Sequence, residues 1–351
     1  MYSNLSPEDE YTTKVERIIG ENTDLTRDLE NWMTKLPQSL RSVPIIYLAL
    51  PGSHDSFTSI INRSCEVSPD SEKILQELHW LICLRGLMSQ WTKTQGFSVN
   101  EQLKSGIRYF DLRVTTKKCN PNLFFCHGLY SFEVTGVLHD IATFLETHTQ
   151  EIVILDCQHF YGFTQETHAI LMQTITKIYG TKLLPYSDHM DHLSLDYMTK
   201  QFRYQVIVIY RSDAARFGQP LLWPSASFPN PWADTINPNV LFNKLDKGIK
   251  ERSPEVAFIT QCILTPNFTD ILSNLFNTLK QKLAVEFEDL RTGWVSKQIP
   301  GRGGINIVIG DFVDLSDNLF TKTVINLNLK LLSDLPKPLQ TVVTINGYNR
   351  Y

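Results

Sequence analysis

Short uninterrupted apolar runs alternate along this chain with longer stretches in which apolar residues return every three or four positions. The first run, Ile45 to Leu50, carries no charge and reads as a strand buried on both faces, stopped by Pro51 and Gly52. Further strands are expected at Ile107 to Val114, Leu123 to Cys126, Ile152 to Leu155, Val206 to Tyr210, Val256 to Thr260 and Ile305 to Ile309, with a last one at Leu339 to Ile345. Helical spacing covers Asp24 to Leu36, where Asp24 offers an N-cap and Pro37 a stop. It returns at Asp70 to Trp91, Val134 to Glu146, Thr164 to Tyr179 (with Gly180 as its stop) and Phe268 to Glu288. Residues 1 to 23 are polar, and the Pro-, Trp- and Asn-rich stretch 218 to 239 reads as a long loop.

Buried strands alternating with helices mean a parallel sheet with crossovers. No glycine-rich fingerprint follows the first strand, and Gly301 to Gly304 precedes a strand instead of opening a helix. The expected fold class is therefore α/β, a single-domain, irregular TIM-type (β/α)8 barrel over 38–351, preceded by an N-terminal segment, 1–37, with a short helix.

Composition narrows the function. The 351 residues are 42% hydrophobic and 20% charged, enough for a large core. A net charge of -4 argues against binding nucleic acid through bulk electrostatics. The acidic N-terminus lacks a signal-peptide pattern, Tyr2 excludes myristoylation, and no apolar run approaches the length of a membrane span. A cytoplasmic protein with at most peripheral membrane association is expected. The six cysteines form no CxxC pair and read as free thiols.

The C-terminal ends of the strands carry the chemistry: His54 and Asp55, Asp111 and Arg113, His127, Asp156 and Gln158, Arg211, and Asp311. In a parallel barrel these ends converge on one face. Two histidines suit in-line phosphoryl transfer, one taking a proton from the attacking hydroxyl and one giving a proton to the leaving oxygen. A guanidinium neutralises the equatorial phosphoryl oxygens, and a carboxylate fixes each imidazole tautomer. His79, His139, His148 and His168 fall on helical patterns and receive no role, and Asp188 to His192 reads as a surface loop.

The segments 48–57 (Leu-Ala-Leu-Pro-Gly-Ser-His-Asp-Ser-Phe), 106–113 (Gly-Ile-Arg-Tyr-Phe-Asp-Leu-Arg), 125–128 (Phe-Cys-His-Gly) and 151–156 (Glu-Ile-Val-Ile-Leu-Asp) resemble the successive X-box motifs of phosphatidylinositol-specific phospholipase C, in order. Asn31-Trp32-Met33, Leu36-Pro37 and Asp311-Phe312-Val313 are similar to the X-domain-containing members that lack pleckstrin, EF-hand and C2 modules. The likeness spans about 30–320, with the X-box part at about 40–213. It implies a phosphoric diester hydrolase that releases diacylglycerol and a cyclic or open inositol phosphate. By that resemblance His54 is the general base and His127 the general acid. Arg113 stabilises the phosphate, Asp311 and Asp111 are supporting acids, and Arg211 binds the headgroup. Asp55 adjoins the first histidine, and Gln158 stands where calcium-dependent members place a carboxylate. Arg113 stands where those members place an acid. A cation beside it would meet repulsion, so no metal cofactor is expected and calcium dependence is not favoured. The expected partners are a phosphoinositide membrane surface and its inositol headgroup. The alternative reading is a catalytically inert phosphoinositide-binding or scaffold protein on the same fold.

Overall fold

Pro51 and Gly52 do not end the first strand; they form its middle. In the computed structural model, which describes residues 24–71, 82–274 and 276–333, β1 is Leu50–Ser53, and Ile45–Tyr47 is a 3-10 turn leading into it. The reason is crowding. β1 lies between two parallel neighbours, and a Cβ on Gly52 would come within 2.9 Å of the side chains of both Tyr109 and Ile309. Only glycine lets the three strands approach this closely. Pro51 gives the ladder its carbonyl, which accepts from Arg108 N at 3.0 Å.

The other strands are β2 (Tyr109–Lys117), β3 (Asn120–His127), β4 (Leu129–Glu133), β5 (Val153–Tyr161), β6 (Val206–Tyr210), β7 (Ile259–Gln261) and β8 (Ile307–Gly310). Six run parallel in the order β6-β5-β2-β1-β8-β7. β3 and β4 form an antiparallel hairpin on the end of β2, and β4 has no counterpart in the sequence reading. The barrel closes irregularly. Segment 223–229 bridges β6 and β7: Trp223 N donates to Val208 O, and Ile259 N donates to Pro229 O. The stretch expected to be only a loop is thus part of the wall.

Alternation along the strands separates two cores. Tyr109, Ile154, Ile207, Ile259 and Ile309 fill the barrel interior. Phe110, Leu155, Val208 and Val308 face the outer helices, among them Val134–Thr147, Gln165–Tyr179 and Leu319–Leu327. The last of these, and Pro238–Glu251, were not anticipated. The expected helix at 70–91 is seen as Ile82–Thr92, its part at 72–81 lying outside the described residues, as does the expected strand at 339–345. The expected 268–288 helix is broken. Phe268–Ser273 ends where the Asn274 amide turns back to Asp270 O, and a new helix runs over Val285–Lys297.

The N-terminal stretch also departs from one continuous helix. The Asp24 carboxylate accepts from Thr26 N and Oγ1, a local turn, and the helical pieces are Leu29–Asn31 and Trp32–Lys35. Buried ionic groups fasten this strap across the N-terminal end of the barrel. The Arg108 guanidinium donates to Glu151 Oε2 at 2.8 Å and to the carbonyls of Leu103 and Ile107, and Glu151 Oε1 accepts from Thr34 N and Oγ1. Arg108→Met leaves Glu151 buried without its cation and is expected to cost about 3–5 kcal/mol, read as a fall in the denaturation midpoint.

Candidate active site

The site is built from the turn that follows β1. His54 N donates to Gly310 O, Ser56 N to Asp111 O, and Asp111 N to Ser56 Oγ, so residues 53–56 are sewn to both neighbouring strands. Asp55 takes a left-handed conformation, φ 39°, that aspartate tolerates better than most residues. This puts its buried carboxylate at the centre of the site. Asp55 Oδ1 lies 2.5 Å from Arg113 Nε, and Oδ2 lies 3.2 Å from His127 Nε2 and 3.4 Å from His54 Nε2. The two imidazole centroids are 6.4 Å apart.

Each histidine is oriented through Nδ1. In His54 this atom contacts Asp311 Oδ1 at 2.8 Å; in His127 it meets Thr92 O at 2.7 Å. Both Nε2 atoms are therefore left to exchange protons. Burial opposes the imidazolium of His54, but the carboxylates of Asp55, Asp311 and Asp111 outweigh it and lift its pKa to about 9. Burial and the nearby Asp55 charge push Asp111 up to about 7. Burial alone would raise Asp55, yet Arg113 and the two histidines hold it well below the usual carboxylate range. Burial opposes the Arg113 cation, but Asp55 and Asp111 keep it charged.

These groups lie at the floor of a cleft of about 620 Å³, within the range of small-ligand sites. His54, Asp111, Arg113, His127, Gln158 and Asp311 all line it. Asp55 lies beneath them. Arg113 pairs with His159 and Leu112 with Cys157, so Gln158 is the extra residue of a β-bulge, a device that re-aims side chains at active sites. Arg211 is placed differently from the expectation. It makes a two-pronged ion pair with Asp156, at 2.8 and 2.7 Å, donates to Phe228 O, and is absent from the cleft lining. Tyr109 Oη completes that group by donating to Asp156 Oδ2.

Several lining residues carried no readable signal in the sequence. Trp91 precedes the carbonyl that orients His127. His159 and Tyr161 extend β5 beyond its expected end. Asn230, Trp232 and Gln261 come from the β6–β7 gap and its edge. Three amide side chains, Gln158, Asn230 and Gln261, line the cleft, with Gln261 donating to Asn230 Oδ1 at 2.8 Å. Among the described residues, donor atoms of His54, Asp55 and Asp111 lie within 4.8 Å of one another and form the one group with a spacing that a cation would need. Arg113 stands against one oxygen of that set. Residues 188–192 form no such group.

A curated relative, PI-PLC X domain-containing protein 3 of Homo sapiens, is 39% identical over 305 residues, covering 86% of this chain and 94% of its own. The chain belongs to the PI-PLC X domain-containing family. Family member 2 of Mus musculus is 38% identical over 307 residues, with 87% and 88% covered. The family model described as phosphatidylinositol-specific phospholipase C, X domain, matches residues 87–212 of this member. Two solved bacterial structures share its barrel. The phosphatidylinositol-specific phospholipase C from Listeria monocytogenes has a TM-score of 0.58 at 18% identity, covering 85% of this chain and 98% of its own. A phosphatidylinositol-specific phospholipase C from Staphylococcus aureus has a TM-score of 0.62 at 16% identity, with 86% and 98% covered. The family assignment and the irregular single-domain barrel thus agree with the motif reading. Among its described residues, no helix is long and apolar enough to cross a membrane.

Proposed function

We propose that this family member is a phosphoric diester hydrolase acting on phosphatidylinositol or phosphoinositides. The observation that carries the reading is the placement of His54, His127 and Arg113 around the buried Asp55 carboxylate, at the floor of an open cleft. The inositol 2-hydroxyl attacks phosphorus, giving its proton to His54 Nε2, while the bond to the diacylglycerol oxygen breaks and that oxygen takes a proton from His127 Nε2. The product pair is diacylglycerol and a cyclic inositol phosphate, which water opens by the reverse roles. Arg113 neutralises the phosphoryl oxygens, and Asp55 holds it in place. Asp311 orients His54, and Asp111 faces its Nε2 at 3.9 Å. Gln158 contacts the headgroup, and Arg211 acts one step back by fixing Asp156. The guanidinium does the work that a cation would do elsewhere, so no metal is required. Trp232, 59% exposed at the cleft rim, and the exposed Leu272, next to the lining Ile271, supply an apolar margin for docking on a lipid surface from the cytoplasmic side.

The test is incubation of purified protein with phosphatidylinositol vesicles in excess chelator. Release of diacylglycerol with inositol phosphate is the expected result; vesicle binding with no turnover of any inositol lipid would instead identify an inert lipid-binding protein. A second expected outcome concerns pH. A base with a pKa near 9 gives kcat/KM that rises with pH toward that value, since only the neutral imidazole accepts a proton. Asp311→Asn removes one of the charges that raise His54, so this limb moves to lower pH. A profile with an unmoved limb would place the observed ionisation on another group.

A further inference from the structure

A second cavity, of about 220 Å³, adjoins the catalytic cleft. It is smaller than the ~300–1,000 Å³ of sites that hold a whole small ligand, so its size fits part of a molecule anchored next door. Its walls are mostly apolar: Leu84, Leu87 and Met88 on the helix Ile82–Thr92, with Trp91 and Ile271, while Asp70, whose carboxylate accepts from Gly128 N, Ser71 and Thr92 complete the lining. It shares Arg113 and His127 with the cleft, but not His54, Asp111, Gln158 or Asp311. Of the two histidines, therefore, only the proton donor to the leaving oxygen faces it.

We propose that this cavity is a leaving-group pocket for the apolar alcohol of the substrate. The inference rests on the phosphodiesterase reading and fixes the direction in which substrate lies. With a phosphorus atom held at Arg113, which both cavities share, the polyol lies on the cleft side, where the amides of Gln158, Asn230 and Gln261 line the wall and the second cavity has none of them. In-line displacement then sends the departing oxygen the opposite way, past His127 and into the apolar walls. The pocket thus selects a diester with an acylated glycerol over the same headgroup diester with bare glycerol, by contacts separate from docking on a membrane.

The experiment uses two soluble substrates, monomeric dihexanoyl phosphatidylinositol and glycerophosphoinositol, so that vesicle binding does not enter. The full chain is expected to favour the first in kcat/KM by at least about tenfold, the worth of a filled apolar pocket. Leu87→Gln, on a half-buried helix position, is expected to cut that preference about tenfold through KM, whereas Ile170→Gln on a distant exposed helix face leaves it intact. Equal turnover of the two substrates by the wild-type chain, or an unmoved ratio in Leu87→Gln, overturns the pocket while leaving the hydrolase reading in place. If the wild-type chain cleaves neither, the hydrolase reading fails, and calorimetric binding decides the pocket. Tighter binding of the dihexanoyl compound, weakened by Leu87→Gln, supports it, and equal affinities overturn it.

Discussion

His127→Ala is expected to lower kcat on phosphatidylinositol by about two to four orders of magnitude, the range for removal of a positioned acid or base. The loss should depend on the leaving group, and this separates a chemical role from a merely structural one. His127 Nδ1 is engaged by Thr92 O, which leaves Nε2 to face the cleft as the proton donor. An alkoxide leaving group needs that proton, whereas a phenolate of low basicity departs without it. A p-nitrophenyl ester of inositol phosphate should therefore recover most of its rate in His127→Ala. In His54→Ala both substrates should lose rate together, because the attacking hydroxyl needs its base whatever leaves. Equal losses for both esters in both variants would show that the histidines do not divide acid and base work in this way.

The candidate chemistry was legible in the sequence because it lies at strand ends, where backbone direction alone decides which residues converge. His54, Asp111, Arg113, His127 and Asp311 could be gathered without knowing any distance, and all line one cleft. Asp55 could be gathered beside them, but not placed at the centre. Its place at the centre depends on a positive φ in a turn held by Gly310 O, Asp111 O and Ser56 Oγ, and none of these long-range bonds has a local signature. The first strand was misplaced for a similar reason. Pro-Gly is a stop signal in isolated sequence, but close approach by Tyr109 and Ile309 makes glycine a requirement inside β1. The Arg211 placement turned on Asp156, a buried acid on the neighbouring strand that pairs in register with Ile209, two residues before Arg211, and claims its guanidinium before any ligand can. The wall segment 223–229 and the two cavities reflect tertiary closure, on which local hydrophobic periodicity is silent.

Arg113→Met is the substitution expected to rank with the histidines, with a loss of about 10²–10³ in kcat when a donor to the developing phosphoryl charge is removed. Two effects add. The phosphoryl oxygens lose their neutralising cation, and Asp55 loses the nearest positive charge, at 2.5 Å. Without Arg113 the Asp55 carboxyl loses its strongest pull toward the low range, so its pKa climbs. Arg113→Lys keeps the charge and loses the planar fork, and should recover only part of the rate. The thermal midpoints of both variants need measuring beside the rates, because a buried Asp55 deprived of its partner also destabilises the fold. The wild-type chain is expected to turn over lipid equally in chelator and in calcium, since the guanidinium already stands against Asp55 of the His54, Asp55 and Asp111 set, the one group among the described residues with a cation's spacing. Activity that disappears in chelator and returns with calcium would transfer the phosphate-stabilising role from Arg113 to a bound ion.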